Sequence, residues 1–235
     1  TFAPRVLNGE NVGLNKGLVG MGSNNSQGVF DNVLVQVLPP QITLDTTEDF
    51  NDGADLFSGD SLGNWSVSDG RYGGTPPSGG TGLQMVDLGV GHGLNPTSYL
   101  ELQATLRSDA IGGLIFDQYD TDDFKFVALD VIADKVLVGH VEPRHGWVVD
   151  KTVSHTLAAN TDYAVQLILK GTTISVSVGG QFVTSWAYNA TVVDGGVGVL
   201  TQNGKTSFDT VRIRTNDPAF ATFDTSGVAS LSTMA

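Results

Sequence analysis

This sequence predicts an all-β fold, an antiparallel two-sheet β-sandwich or jelly roll, on three observations. Between Ser98 and Arg107, Leu100, Leu102, Ala104 and Leu106 alternate with Tyr99, Glu101, Gln103, Thr105 and Arg107, the two-residue period of a strand with one buried and one wet face. Glycine fills 30 of 235 positions while aromatic residues make up only 8%, a composition of short strands and tight turns. No stretch repeats its apolar residues at the helical spacing.

Taken in order, the chain opens with residues 1–38, read as the last strands of a preceding repeat. Gly17 to Val37 parallels Gly195 to Arg214, with Phe30-Asp31 standing where Phe208-Asp209 stands later. Its apolar residues Val19, Met21, Phe30, Val33 and Val35 should pair with a sheet edge or with another copy, because exposed strand edges are rarely left open. Leu38-Pro39-Pro40 ends that segment, since consecutive prolines cannot donate to a ladder, and residues 39–47 read as an extended linker.

A β-sandwich domain is expected over residues 48–215, followed by an extension over 216–235. It opens on the acidic cluster Glu48 to Gly53 around Phe50, then Asn64 to Tyr72 as a strand interrupted by an Asp69-Gly70 turn, then a Gly/Pro/Ser loop from Gly73 to Gly82. Strands are expected at Gly113 to Tyr119, Phe124 to Ile132, Lys135 to Val141, Trp147 to Leu157, Asp162 to Lys170, Thr173 to Val178 and Gln181 to Tyr188. Gly195 to Arg214 reads as a hairpin turning at Asn203-Gly204, a dipeptide that tolerates positive φ. The shared core should hold Leu100, Leu102, Leu106, Phe116, Val165, Leu167, Ile174, Val176, Val197, Phe208 and Val211.

Charge and composition exclude several functions. Acidic residues number 25 against 12 basic ones, a net charge of -13, which opposes nucleic acid and anionic membrane surfaces. The absence of cysteine excludes disulfide frameworks and thiolate metal sites. No run reaches the ~18 apolar residues that span a bilayer as a helix.

The order of motifs resembles the concanavalin A-like and laminin G-like jelly rolls: Glu48-Asp49-Phe50, Trp65 before Asp69-Gly70, Gly113 to Phe116, Asp162-Tyr163, Gly179-Gly180, Gly196 to Val199, and Phe208 to Val211. The likeness covers residues 48 to 215 and is nearest to laminin G-like domains that recur in large secreted or surface bacterial proteins. It implies a secreted or cell-surface protein with neighbouring repeats and no membrane insertion. It also implies a calcium ion joining the two ends of the domain, with Glu48, Asp49 and Asp52 at the start and Asp209 in the final strand; capping of a turn by Asp209 is the alternative.

The residues themselves favour binding over catalysis. Retaining glycoside hydrolysis needs two carboxyl groups ~5 Å apart, yet Glu10, Glu48, Glu101 and Glu142 are the only glutamates and none has an acidic residue two positions away on a strand. Asp117, Asp120, Asp122 and Asp123 read as a solvated loop, and His140 and His145 lack a third metal ligand at a recognisable spacing. A carbohydrate ligand is expected on the wet face of the Tyr99 strand, where Tyr99, Glu101, Gln103 and Arg107 supply ring surface and hydrogen bonds. Trp147 and Trp186 are either core or added stacking surface, and Trp65 is core. A structural spacer and a hydrolase-like enzyme are the competing readings.

Overall fold

The computed structural model describes residues 5–7, 10–12, 24, 25, 27–29, 31, 32, 40–89 and 93–221. The chain divides into two units, residues 1–39 and 40–235. In the first, strands β1 (Arg5–Leu7) and β2 (Glu10–Val12) form an antiparallel pair. The expected pairing of Val19, Met21, Phe30, Val33 and Val35 lies outside the described residues.

The second unit is the β-sandwich. Its strands are β3 (Leu44–Glu48), β4 (Ser61–Leu62), β5 (Asn64–Ser68), β6 (Arg71–Thr75), β7 (Thr81–Met85), β8 (Tyr99–Ser108), β9 (Ile111–Asp120), β10 (Asp123–Asp130) and β11 (Lys135–Glu142). There follow β12 (Gly146–Ser154), β13 (Tyr163–Lys170), β14 (Thr173–Val178), β15 (Gln181–Ala187), β16 (Gly196–Gln202) and β17 (Thr206–Thr215). One sheet runs β12-β11-β10-β9-β16-β7-β4 and the other β15-β14-β13-β8-β17-β6-β5, with β3 also paired to β17. Every pairing is antiparallel.

Two expectations are corrected. β16 and β17 do not form a hairpin: β16 pairs with β7 and β9, and β17 with β8, β6 and β3 in the other sheet. The turn between them crosses the sandwich, and Asn203 alone takes the positive φ, at 60°. Residues 44–47 are strand rather than linker, because β17 offers them a free edge from Val211 to Thr215 once β6 has paired with Thr206 to Phe208.

The inner faces meet in one apolar core. Leu100, Leu102, Ala104 and Leu106 of β8, Val165 and Leu167 of β13, Ile174 and Val176 of β14, and Phe208 and Val211 of β17 face Leu114 and Phe116 of β9 and Val197 and Val199 of β16. Each of these valine, leucine, isoleucine and phenylalanine side chains contributes about 1.5–3 kcal/mol of transfer free energy. At one end Phe50, Phe57, Tyr72 and Trp65 pack ring on ring, with the Phe50 and Trp65 rings each 5.3 Å from that of Tyr72. Trp65 is partly buried and donates its indole N–H to the Leu62 carbonyl at 2.9 Å.

The two outer faces differ in chemistry. On the β9 sheet the alternate residues Leu83, Met85, Ile115, Phe124, Phe126, Leu137 and Leu200 form a second buried apolar cluster. On the β8 sheet they are polar, and that is where the candidate site lies.

Candidate functional site

The register of three neighbouring strands builds the polar face. Gln103 of β8 stands beside Gln166 of β13 on one side and Arg212 of β17 on the other. One step along, Glu101 stands beside Arg214, and Arg214 beside Asp45 of β3. Side chains directly opposite on adjacent strands are ~4.5–5.5 Å apart at Cβ, so these residues are held within reach of one another by backbone pairing.

Glu101 organises the face. Although it points away from the core, its side chain is only 3% exposed, because its neighbours close over it. Oε2 accepts hydrogen bonds from the Tyr99 hydroxyl at 2.7 Å and Arg214 Nη1 at 3.0 Å, and Oε1 from Gln103 Nε2 at 2.5 Å and Gln166 Nε2 at 2.6 Å. Burial raises the carboxyl's pKa, but the bonds from Tyr99, Gln166 and Gln103 and the charge of Arg214 outweigh it and hold the group below the usual glutamate value. Tyr99 moves the other way: burial and the adjacent Glu101 carboxylate push its hydroxyl far above the tyrosine range. Arg212 grips Asp45 through two bonds of 2.7 Å, which lower the Asp45 pKa.

Beside this network runs an open groove of about 560 Å³ with Gln103, Gln166, Thr47, Thr105, Thr210 and Arg212 on its walls. It offers amide, hydroxyl and guanidinium groups, set on strands rather than loops, to a polar ligand.

Of the residues expected in the site, the structure brings Tyr99, Glu101 and Gln103 together. Arg107 lies four residues further along β8, about 13 Å at ~3.3 Å per residue. It binds Asp162 at 2.5 Å, sharing that carboxylate with Arg71 at 2.9 Å. Trp147 belongs elsewhere: its ring stacks on Phe126 at 3.7 Å, in the apolar cluster of the other sheet. Gln166, Arg212, Arg214 and Asp45 were missed, although Val211-Arg212-Ile213-Arg214 and Val165-Gln166-Leu167 carry the same alternation that identified β8.

The expected calcium ligands come together in part. One oxygen each of Glu48, Asp49 and Asp52 lies within 4.8 Å of the others. Both Glu48 oxygens also accept backbone N–H bonds, from Phe50 and Leu56 at 3.2 Å each, fixing the turn that inserts Phe50 into the core with a φ of 59°. Asp209 does not join them. It occupies the bulge between Phe208 and Thr210, where the extra residue turns its side chain 51% into solvent, 3.9 Å from Arg71.

No family model matches the chain, and no curated protein matches it in sequence. Solved structures share its fold. A carbohydrate-binding module from Bacillus subtilis superposes with a TM-score of 0.53 at 15% identity, covering 72% of this chain and 94% of that one. A Shewanella oneidensis protein of unknown function gives 0.52 at 14% identity over 77% and 90% of the two chains. A Bacillus subtilis protein of unknown function with a galectin-like fold gives 0.50 at 10% identity over 72% and 94%. The fold is thus a two-sheet antiparallel β-sandwich shared with these structures, one of which is described as galectin-like. Among the described residues no helix is long and apolar enough to cross a membrane.

Proposed function

We propose that this chain is a non-catalytic carbohydrate-binding module of a secreted or surface protein, and that it holds its ligand on the polar face of the β8 sheet. The observation that carries the reading is the pre-set plate of donors and acceptors around Glu101, beside a groove of about 560 Å³. Groups already locked in place lose little freedom when a ligand arrives, which favours recognition over a disordered polar surface. The fold shared with a carbohydrate-binding module of Bacillus subtilis supports the same class of ligand.

The electrostatics favour binding over turnover. A glycosidase acid needs a carboxyl pKa raised toward neutrality, whereas Glu101, Asp45 and Asp162 are all held low by their hydrogen bonds and arginines. Calcium fits as a structural ion: the buried Glu48 and the exposed Asp49 and Asp52 bring three carboxylates together at the start of the domain, and such oxygen-rich sites suit the weak calcium binding of extracellular modules.

Affinity electrophoresis against a panel of neutral and acidic polysaccharides tests the reading. Retardation by at least one polymer, lost when Gln103 and Gln166 are both replaced by alanine, is the expected outcome. Release of reducing ends that disappears in Glu101→Gln would make the protein an enzyme instead, and no retardation by any polymer would leave it a spacer.

A further inference from the structure

Further along the polar sheet face, beyond the Gln103 groove, four strands meet in one row. Ser66 of β5 stands beside Gly73 of β6, Gly73 beside Ser207 of β17, and Ser207 beside Arg107 of β8. A groove of about 380 Å³ runs along this row, and its walls also carry Asn64, Asn160 and Lys205. That volume falls within the ~300–1,000 Å³ range of small-ligand sites.

We infer that this groove takes an anionic sugar unit, bearing a carboxylate or a sulfate, and so directs the chain to acidic polysaccharides. The inference rests on the reading of the chain as a carbohydrate-binding module and names the class of carbohydrate.

Three observations carry it, and the first is Gly73. Its neighbour Gly74 is explained by packing, because a Cβ there would stand 2.4 Å from the Trp65 ring. Gly73 has no such reason: its φ is not positive, and the atom nearest to a Cβ would be the Ser66 carbonyl oxygen at 3.7 Å, an ordinary contact. A glycine inside a strand weakens it and often marks a place where a ligand approaches the backbone closely. Here its missing side chain leaves the floor of the groove bare.

The second observation is charge. The chain has 25 acidic residues against 12 basic ones, and its grooves at Asp45, at Asp109, at Asp87 with Asp194, and at Asp123 with Glu142 are all lined in part by carboxylates. This groove has Arg107 and Lys205 on its walls and no carboxylate. Among the described residues Lys205 has no ion-pair partner. Asp109 gives its carboxylate to the Lys205 backbone N–H at 2.6 Å. Asp162 serves both Arg107 and Arg71, so one negative charge faces two positive ones, and Asp209 stands 3.9 Å from Arg71 with its side chain 51% in solvent. Charges more than ~8 Å away are screened at physiological salt, so the walls and not the net charge of -13 set the local preference.

The third observation is that the walls are held in place. The Lys205 carbonyl accepts from Asp109 N at 3.0 Å and Ser108 Oγ at 3.3 Å, and Asn160, at a φ of 58°, donates its N–H to the Ser108 carbonyl at 2.8 Å. Arg71 Nε donates to Ser207 Oγ at 3.0 Å, which leaves the Ser207 hydroxyl proton for a ligand. Asn64, Ser66 and Asn160 are exposed. Ammonium, guanidinium, amide and hydroxyl donors are the groups that bind a carboxylate or sulfate.

Nitrogen-15 spectra of the full chain, titrated with oligogalacturonates, with the same oligomers methyl-esterified, and with sulfated galactan oligosaccharides, test this. The Asn64 and Asn160 amides report on this groove, and the Gln103 and Gln166 amides on the other. The expected result is movement of the Asn64 and Asn160 signals with an anionic oligomer and not with the ester; whichever anionic probe acts identifies the group bound. Lys205→Gln should weaken that binding about tenfold, the loss of one charge-assisted hydrogen bond. Gly73→Val should weaken it about as much while Tm stays at or above that of the wild type, because a β-branched side chain suits a strand and has room there. Equal response to the ester, or unchanged affinity in Lys205→Gln, overturns the inference. Signals that move at Gln103 and Gln166 alone overturn it and leave the carbohydrate reading standing, whereas silence at both grooves with every probe overturns both. Movement at Asn64 and Asn160 alone sustains it and removes the Gln103 groove.

Discussion

Replacing Glu101 with glutamine changes one oxygen for an NH₂ group and nothing in volume, so its effect isolates the charge at the centre of the polar face. The wild-type carboxylate accepts four hydrogen bonds, from Tyr99, Gln103, Gln166 and Arg214. A glutamine there turns one acceptor into a donor that faces other donors, and it leaves the Arg214 charge without its closest partner. Removing one member of a buried charge pair costs about 3–5 kcal/mol. Arg214 is 31% exposed and keeps Asp45 at 3.3 Å, which places the expected loss at the lower end, about 3 kcal/mol. For a chain of this size that is about 6–12 °C in Tm, at ~2–4 °C per kcal/mol. The pH dependence supplies an independent check. Because the folded pKa lies below the ordinary value of 4.5, the carboxylate stabilises the fold fully above that pH, and this contribution disappears as pH falls through the folded value. Urea unfolding of wild type and variant from pH 7 to pH 3 should therefore show a gap that closes in acid. A gap of about 0.5 kcal/mol or less at pH 7, the size of an ordinary surface change, would refute the organising role of Glu101.

Three further outcomes are expected. Gly113→Ala should destabilise by about 3 kcal/mol or more in urea unfolding, because its Cβ would stand 2.1 Å from the Val127 carbonyl oxygen and 2.7 Å from Ala128 Cα, both backbone atoms of the paired strand. Asp162→Asn should cost under about 1 kcal/mol, and less in molar salt, despite two arginine partners, because its side chain is 38% exposed and solvent screens the pair. Calcium at ~10 mM should raise stability by about 1.4–2.7 kcal/mol over EDTA if it binds at the 0.1–1 mM typical of extracellular modules; differential scanning calorimetry should show the rise shrink in Asp52→Asn and persist in Asp209→Ala.

Local pattern carried much of this architecture. The alternation in β8 places Leu100, Leu102, Ala104 and Leu106 in the core, as observed, and β14 occupies Thr173 to Val178 as its pattern predicts. What pattern could not carry is partnership. Val197 and Val199 alternate with glycines, and Phe208 precedes an apolar return strand, whether the two segments pair or face each other across a core; only the sheet to which each belongs separates a hairpin from a crossover. Leu44 to Glu48 holds a single apolar residue, so its strand character comes from the β17 edge and not from its own composition. Glu101 shows the same limit at the site. Its position on the polar face follows from the period, but its burial comes from Gln166 and Arg214, which lie 65 and 113 residues away.

The contrast between the two sheets explains why the proposed site lies on the β8 sheet. In β9, β10 and β11 the apolar residues run continuously, as in Leu114-Ile115-Phe116, Phe126-Val127-Ala128-Leu129 and Val136-Leu137-Val138, so both surfaces of that sheet are apolar. Such a surface has almost no hydrogen-bonding groups to give a sugar. In β8, β13, β14 and β17 the period of two is kept, and every second residue is free of the core. Those positions supply Gln103, Gln166, Arg212 and Arg214.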